Sequence, residues 1–150
     1  MLYNALYDVD VSLLELKIID SKDNTIPYFE LTDAGIKSNI VTSMRINEPD
    51  DGDKFIYITI TAGSTPPNEI YLSQEYTEIP SAQEIFSIES DIFIDKKHLI
   101  NEDGYLKYNF ANVSFSYTHK HPGEMGISEG IRVGTFFKTK IPIIDTRGEK

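Results

Sequence analysis

The chain has 150 residues, a net charge of −10, 40% hydrophobic residues and no cysteine. This length is typical of one globular domain, so we expect a single domain over residues 1–150, and the hydrophobic content argues against disorder. The lack of cysteine excludes a disulfide framework, a thiolate metal site and a cysteine nucleophile. The acidic balance disfavours nucleic-acid binding, which depends on basic side chains that neutralise phosphates.

Alternation of apolar and polar residues, the pattern of a half-buried strand, dominates the first half of the chain. The segment Val11–Ile19 is predicted as a strand that places Leu14, Leu16 and Ile18 on one face. The same alternation predicts further strands at 27–31, 40–46, 55–61 and 70–76.

Residues 81–95 fit two structures. The run Ser81-Ala82-Gln83-Glu84 resembles a helical capping box, and isoleucines follow it at helical spacing. The β-branched and aromatic content, above all in Ile92-Phe93-Ile94, favours a strand, which is our preferred interpretation. One helical turn is expected within 95–101, and Asn101-Glu102-Asp103-Gly104 is typical of a hairpin turn.

Two longer strands are predicted towards the end of the chain, at 105–118 and 131–144. The first contains a one-residue phase slip, because Leu106, Tyr108 and Phe110 alternate on the opposite parity from the apolar residues that follow. Such a slip is typical of a β-bulge or of a bend between sheets. About eight strands with little helix predict an all-β fold, a single-domain antiparallel β-sandwich of jelly-roll or Ig-like type.

The two histidines of His119-Lys120-His121 are the first candidate for chemistry. Residues two apart on a strand share a face, so both imidazoles could reach one metal ion, with Glu124 or His98 as a third ligand. Cupins use a histidine pair of this kind, but the spacing from His121 to Glu124 does not match their pattern. We therefore predict a solvated loop end here and no metal site.

Two other motifs lack the context that their chemistry needs. The run 126–130 reads G-x-S-x-G, but a glycine-rich loop precedes it and a predicted strand follows, whereas a nucleophile elbow lies between a strand and a helix. The acidic turn 47–53 resembles a calcium loop, yet Pro49 and Ile58 stand where an EF-hand needs oxygen ligands. A looser surface calcium site stays open there. We expect no catalytic residue, no cofactor and no enzyme activity.

The charges are segregated along the sequence. Residues 46–95 contain eleven acids and one base, whereas 104–150 contain seven bases and four acids. Complementary patches of this kind would allow copies of the chain to associate. The 21 isoleucines against 5 valines and 11 lysines against 3 arginines are typical of an AT-rich coding genome.

These observations predict a non-enzymatic structural protein that acts through protein–protein contacts, as a bacteriophage head, connector or tail subunit. Its expected partners are copies of itself, in an oligomer, or other virion proteins, with no nucleic acid and no membrane. Because no signal peptide is evident, we expect it in the virion or the host cytoplasm.

The longest predicted loops, 62–69 and 119–130, are the expected contact elements, because loops of this size usually have a function. The alternative is a small-ligand or glycan-binding module, for which Tyr57, Tyr71 and Tyr108 are expected to face outward. A metal-dependent enzyme of cupin-like architecture is a third, less favoured class. The candidate contact residues within the two loops are Ser64, Thr65, Pro66, Pro67, Asn68, His119, His121 and Glu124.

Overall fold

A computed structural model describes residues 11–46, 55–63, 69–79, 84–118 and 135–147. These ranges contain strands and a single 3₁₀ turn, Lys96–His98, so the predicted all-β class is confirmed. The strands of the described residues are β1 (Val11–Ile19), β2 (Thr25–Ile26), β3 (Phe29–Thr32), β4 (Gly35–Ile46), β5 (Phe55–Ala62), β6 (Ile70–Glu78), β7 (Ile85–Ile94), β8 (Phe110–Thr118) and β9 (Thr135–Asp145).

The strands form two groups that we call sheet A and sheet B. Sheet A has the order β2-β1-β4-β7, with the short β3 on the first residues of β4, and sheet B has the order β9-β8-β5-β6. Strand β9 belongs to both groups, because its first part pairs with β8 and its last residues pair with β3. The β3–β9 pair is parallel, and the other described pairs are antiparallel, as predicted for the sandwich.

Strand β7 covers residues 85–94 and shows that the segment predicted as either helix or strand is a strand. Its residues alternate strictly between exposed and buried over the whole length, so the period is two. A helical stripe would have required Ile85 on the buried face with Ile88 and Ile92, yet Ile85 is 61% exposed. After β7, the Asp95 carboxylate accepts the backbone N–H of Lys97 at 3.0 Å and caps the predicted helical turn.

A bulge corrects the predicted face of β1. The pairing with β4 shifts by one residue between Leu13 and Glu15, so Leu14 has no partner and is 54% exposed. The odd-numbered residues Val11 and Leu13 therefore face the core before the bulge, and the even-numbered residues Leu16 and Ile18 face it afterwards. The prediction that Leu14 shares a face with Leu16 was wrong, because a bulge reverses the alternation of all residues beyond it.

The predicted strand 105–118 is shorter than expected, since β8 begins at Phe110. The residues before it form the predicted tight hairpin, in which Ile100 bridges to Leu106 and Gly104 has a φ of +85°. The side-chain oxygen of Asn101 accepts the backbone N–H groups of Asp103 and Tyr105 and closes this turn.

The core lies between the inner faces of the two sheets and consists mainly of isoleucine and phenylalanine. Phe115 on β8 is fully buried and contacts Phe136 and Phe137 at ring centroid distances of 6.4 and 6.0 Å. Strand β5 lies between β8 and β6 in sheet B, and all eight of its residues are buried. Tyr57, expected to face outward, is only 3% exposed and contacts the ring of Tyr76.

Candidate ligand-binding groove

A groove of about 630 Å³ crosses the outer face of sheet A. It lies between the turn that joins β1 to β2 and the neighbouring ends of β4 and β7. We call it the sheet A groove. The lining side chains that matter for its chemistry are Asp20, Ser21, Asp23, Lys37, Asn39, Val41, Glu89, Asp91 and Phe93.

The floor of the groove is a set of cross-strand pairs between β4 and β7. Lys37 lies opposite Phe93, and Asn39 lies opposite Asp91. Directly opposed residues of an antiparallel pair project from the same face of the sheet, so both pairs line the groove. The Lys37 ammonium is 5.9 Å from the centre of the Phe93 ring, and Asn39 Nδ2 donates to Asp91 Oδ1 at 2.7 Å.

Phe93 provides an apolar surface inside this polar groove. Its side chain is 55% exposed, although the residues on either side of it, Ile92 and Ile94, are buried in the core. The alternation of β7 accounts for the exposure, because odd-numbered residues of this strand face outward. The nearby ammonium interacts favourably with the negative face of the ring.

The rim is a turn held by Asp20. The Asp20 carboxylate oxygen Oδ1 accepts the backbone N–H groups of Lys22 and Asn24, each at 2.9 Å. The hydrogen bond from the Asn24 backbone is the main cause that lowers the pKa of Asp20 below its ordinary value. Asp23 has a φ of +65°, a left-handed conformation that aspartate tolerates better than most residues. The rim therefore places an ionised carboxylate in a defined position.

The groove is rich in hydrogen-bond acceptors. Four carboxylates line it, and its donors are the Lys37 ammonium, the Asn39 amide and the Ser21 hydroxyl. This arrangement can bind a ligand that carries many hydroxyl groups, and it repels anions. No group of three or more His, Asp or Glu side chains with metal-binding geometry occurs among the residues that the structure describes.

The candidate contact residues in the two predicted loops lie outside the described ranges. This applies to all eight predicted contact residues: Ser64, Thr65, Pro66, Pro67, Asn68, His119, His121 and Glu124. The acidic turn 47–53 and the run 126–130 are also outside them. His98 lies in the 3₁₀ turn, where it is exposed.

Sequence reasoning missed the sheet A groove. One signal was available in the sequence, since an aromatic residue, Phe93, shares the parity of two acids, Glu89 and Asp91, on a predicted strand. The partners on β4 and the β1–β2 turn are separated from β7 by about fifty residues or more and could not be inferred from that pattern.

Within the described ranges, no helix has the length and hydrophobicity needed to cross a membrane.

Comparisons with known proteins identify a fold but no family. No protein-family model matches the sequence. No curated protein matches it either. Among solved structures, the chain is similar to the C-terminal domain of Wzt with a TM-score of 0.56 and 9% identity, over 91% of this chain and 74% of that one. This likeness supports the β-sandwich architecture alone.

Weaker likenesses involve parts of larger enzymes. The β-D-glucoside glucohydrolase of Trichoderma reesei matches with a TM-score of 0.48 and 8% identity, over 91% of this chain and 19% of that one. The GH3 β-glucosidase of Bifidobacterium adolescentis has the same score and identity, over 94% of this chain and 20% of the enzyme. The chain thus spans about a fifth of the length of either glucosidase, and scores this low say nothing about activity.

Proposed function

We propose that this protein is a non-enzymatic binding module of the β-sandwich class and that the sheet A groove binds an uncharged glycan. The observation that carries the proposal is the exposed Phe93 ring inside a groove that combines hydrogen-bonding side chains with the apolar outward residues Ile19 and Val41. A sugar ring has one face of C–H groups and a periphery of hydroxyls, and it needs these two kinds of surface side by side.

The roles of the residues follow from their positions. Phe93 would contact the C–H face of a sugar, while the Asp20 and Asp91 carboxylates would accept its hydroxyl protons. Lys37 and Asn39 would donate to hydroxyl oxygens at the same strand end. Because four carboxylates line the groove, an uncharged glycan is favoured over an acidic one.

The experiment is a screen of immobilised uncharged and acidic glycans, followed by calorimetric titration of the strongest ligand against the protein and two variants. Phe93→Ala removes the apolar surface, and Tyr71→Ala is the matched control, since Tyr71 is an aromatic residue 49% exposed on β6 of sheet B. We expect Phe93→Ala to weaken binding at least about fivefold, for a contact worth roughly 1 kcal/mol, with no change for Tyr71→Ala.

Two results would contradict the proposal. One is the absence of binding to every uncharged glycan of the screen. The other is equal affinity of the Phe93→Ala variant and the unmodified protein, which would place the ligand elsewhere.

A second candidate is the assembly function, with the protein as a structural subunit of a bacteriophage virion. The distribution of charge supports it, because Glu89 and Asp91 project from the outer face of β7 in sheet A, whereas Lys138 and Lys140 lie exposed on the part of β9 that pairs in sheet B. Acidic and basic surfaces on different sheets would allow one copy to contact the next in head-to-tail fashion.

Light scattering at several protein concentrations and two salt concentrations tests this assembly. We expect masses above 17.0 kDa at low salt that fall when salt screens the charges. Lys138→Glu should lower the mass, whereas Lys22→Glu, on the exposed β1–β2 turn, should not. A mass of 17.0 kDa under all conditions would refute self-assembly without affecting the groove proposal.

A further inference from the structure

A second pocket, of about 230 Å³, lies away from the sheet A groove, where three segments of the chain meet. They are Gly63 just after β5, residues 107–110 together with Asn112 before and at the start of β8, and Lys140 on β9. We call it the lysine pocket, because Lys107 and Lys140 both line it.

The charge of the lysine pocket is opposite to that of the groove. Its lining residues, as far as the structure describes them, include no Asp or Glu, although the protein as a whole has a net charge of −10. Neither Lys107 nor Lys140 forms an ion pair with another described residue. The Lys107 ammonium lies 5.7 Å from the centre of the Tyr108 ring, which keeps it beside the pocket. These two cations share one concavity and have no carboxylate partner among the described residues, so the pocket attracts an anion.

The backbone segments that carry these lysines and surround the pocket form hydrogen bonds with other parts of the fold. The Asn112 side chain, 5% exposed, donates through Nδ2 to the Gly63 carbonyl at 3.1 Å. On the other side, the Lys107 N–H donates to the Leu99 carbonyl at 2.7 Å, and the Asn109 carbonyl accepts the Ile143 N–H at 2.9 Å. The backbone around the pocket is thus connected to both β5 and β9.

The Glu69 carboxylate, which lies beside Asn112 of this pocket, already accepts hydrogen bonds. Glu69 Oε2 accepts the Thr61 hydroxyl at 2.6 Å and lies 3.3 Å from Asn112 Nδ2. Because these donors partly satisfy its charge, Glu69 competes less for the two ammonium groups.

From this geometry we infer that the lysine pocket binds a small ligand through one anionic group, a phosphate or a carboxylate. The volume admits a single such group with a small attached moiety. The exposed ring of Phe110 and the half-buried ring of Tyr108 offer an apolar wall for that moiety. This site is separate from the glycan groove and independent of the proposed function.

The test is an NMR titration of the amide signals with inorganic phosphate and with acetate, at constant ionic strength. We expect saturable shifts at the amides of Asn109, Phe110 and Asn112. The double variant Lys107→Gln/Lys140→Gln should bind at least tenfold more weakly. The control Lys97→Gln/Lys138→Gln has the same net charge and changes two exposed lysines outside the pocket, so it should bind like the unmodified protein.

All four substituted lysines are exposed, so the variants should fold, and their melting temperatures provide the check. Tighter binding of phosphate than of acetate would assign a phosphate ligand, and the reverse would assign a carboxylate. Non-saturable shifts, or equal loss of binding in the control variant, would overturn the inference, because they would indicate general charge attraction.

Discussion

The hairpin between β3 and β4 depends on Gly35, and replacement of this residue by alanine should distort the end of sheet A. Gly35 has a φ of +97°, and a Cβ at this position would lie 2.4 Å from the carbonyl oxygen of Ile94 and 3.2 Å from the backbone nitrogen of Lys96. Both atoms belong to the backbone, one at the last residue of β7 and one in the 3₁₀ turn that follows, so no side-chain rotation relieves the contact. The chain must move instead.

Gly104 allows the free-energy cost of the positive φ to be separated from the cost of the steric clash. It also has a positive φ, of +85°, but a Cβ added there meets nothing within 4 Å. A left-handed conformation costs an alanine about 1 kcal/mol at either position. The clash at Gly35 adds roughly 1–3 kcal/mol, as for other overpacked sites.

The assay is thermal unfolding, supported by urea denaturation. For a protein of this size, 1 kcal/mol corresponds to about 2–4 °C in melting temperature. We therefore expect a decrease of about 2–4 °C for Gly104→Ala and of roughly 5–15 °C for Gly35→Ala. Gly35→Ala should also weaken ligand binding in the sheet A groove, because Phe93 directly precedes Ile94 and pairs with Lys37. Equal melting temperatures of the two variants would refute the argument that the contact with Ile94 restricts this position.

Two further predictions concern single polar groups. The buried Tyr57 hydroxyl has no hydrogen-bond partner within the described structure, and burial raises its pKa. Because Tyr57→Phe removes this unsatisfied hydroxyl, it should increase the free energy of unfolding by about 1 kcal/mol. A lower urea midpoint for the variant would contradict this. The hydrogen bond from the Arg147 side chain lowers the pKa of Asp145 below its ordinary value, so this carboxylate stabilises the fold at neutral pH. That contribution should be lost as the pH falls from about 4 through the lowered pKa. In unfolding experiments from neutral pH to below about pH 4, the free energy of unfolding of Asp145→Asn should differ most from that of the unmodified protein at neutral pH. A difference that does not shrink in acid would disprove the linkage.

Local patterns in the sequence were sufficient for most of the individual elements. The alternation in 55–61 predicts a strand because a strand exposes successive side chains to opposite faces, whatever its neighbours are. For 81–95 the β-branched and aromatic content favoured a strand, while the spacing of the isoleucines also fitted a helix. The Asn101-Glu102-Asp103-Gly104 turn was also predictable, since its hydrogen bonds join residues at most four apart. Eight of the nine described strands overlap a segment that such local signals predict, and the all-β class follows from them, whereas β2 was not predicted.

The bulge, the strand order and both pockets depend on contacts between distant residues. Leu14 is exposed because β4 pairs around it, which the alternation within β1 does not reveal. The sheet A groove depends on Lys37 lying opposite Phe93, and the lysine pocket depends on Lys107, which precedes β8, and Lys140 on β9 lining the same cavity. The sequence by itself therefore determined where the chain is extended, because that property arises from each residue and its nearest neighbours, whereas the inward face of β1 changes at the bulge. Only the tertiary structure decided which side chains share a site, because strand register is set by pairing across the whole chain.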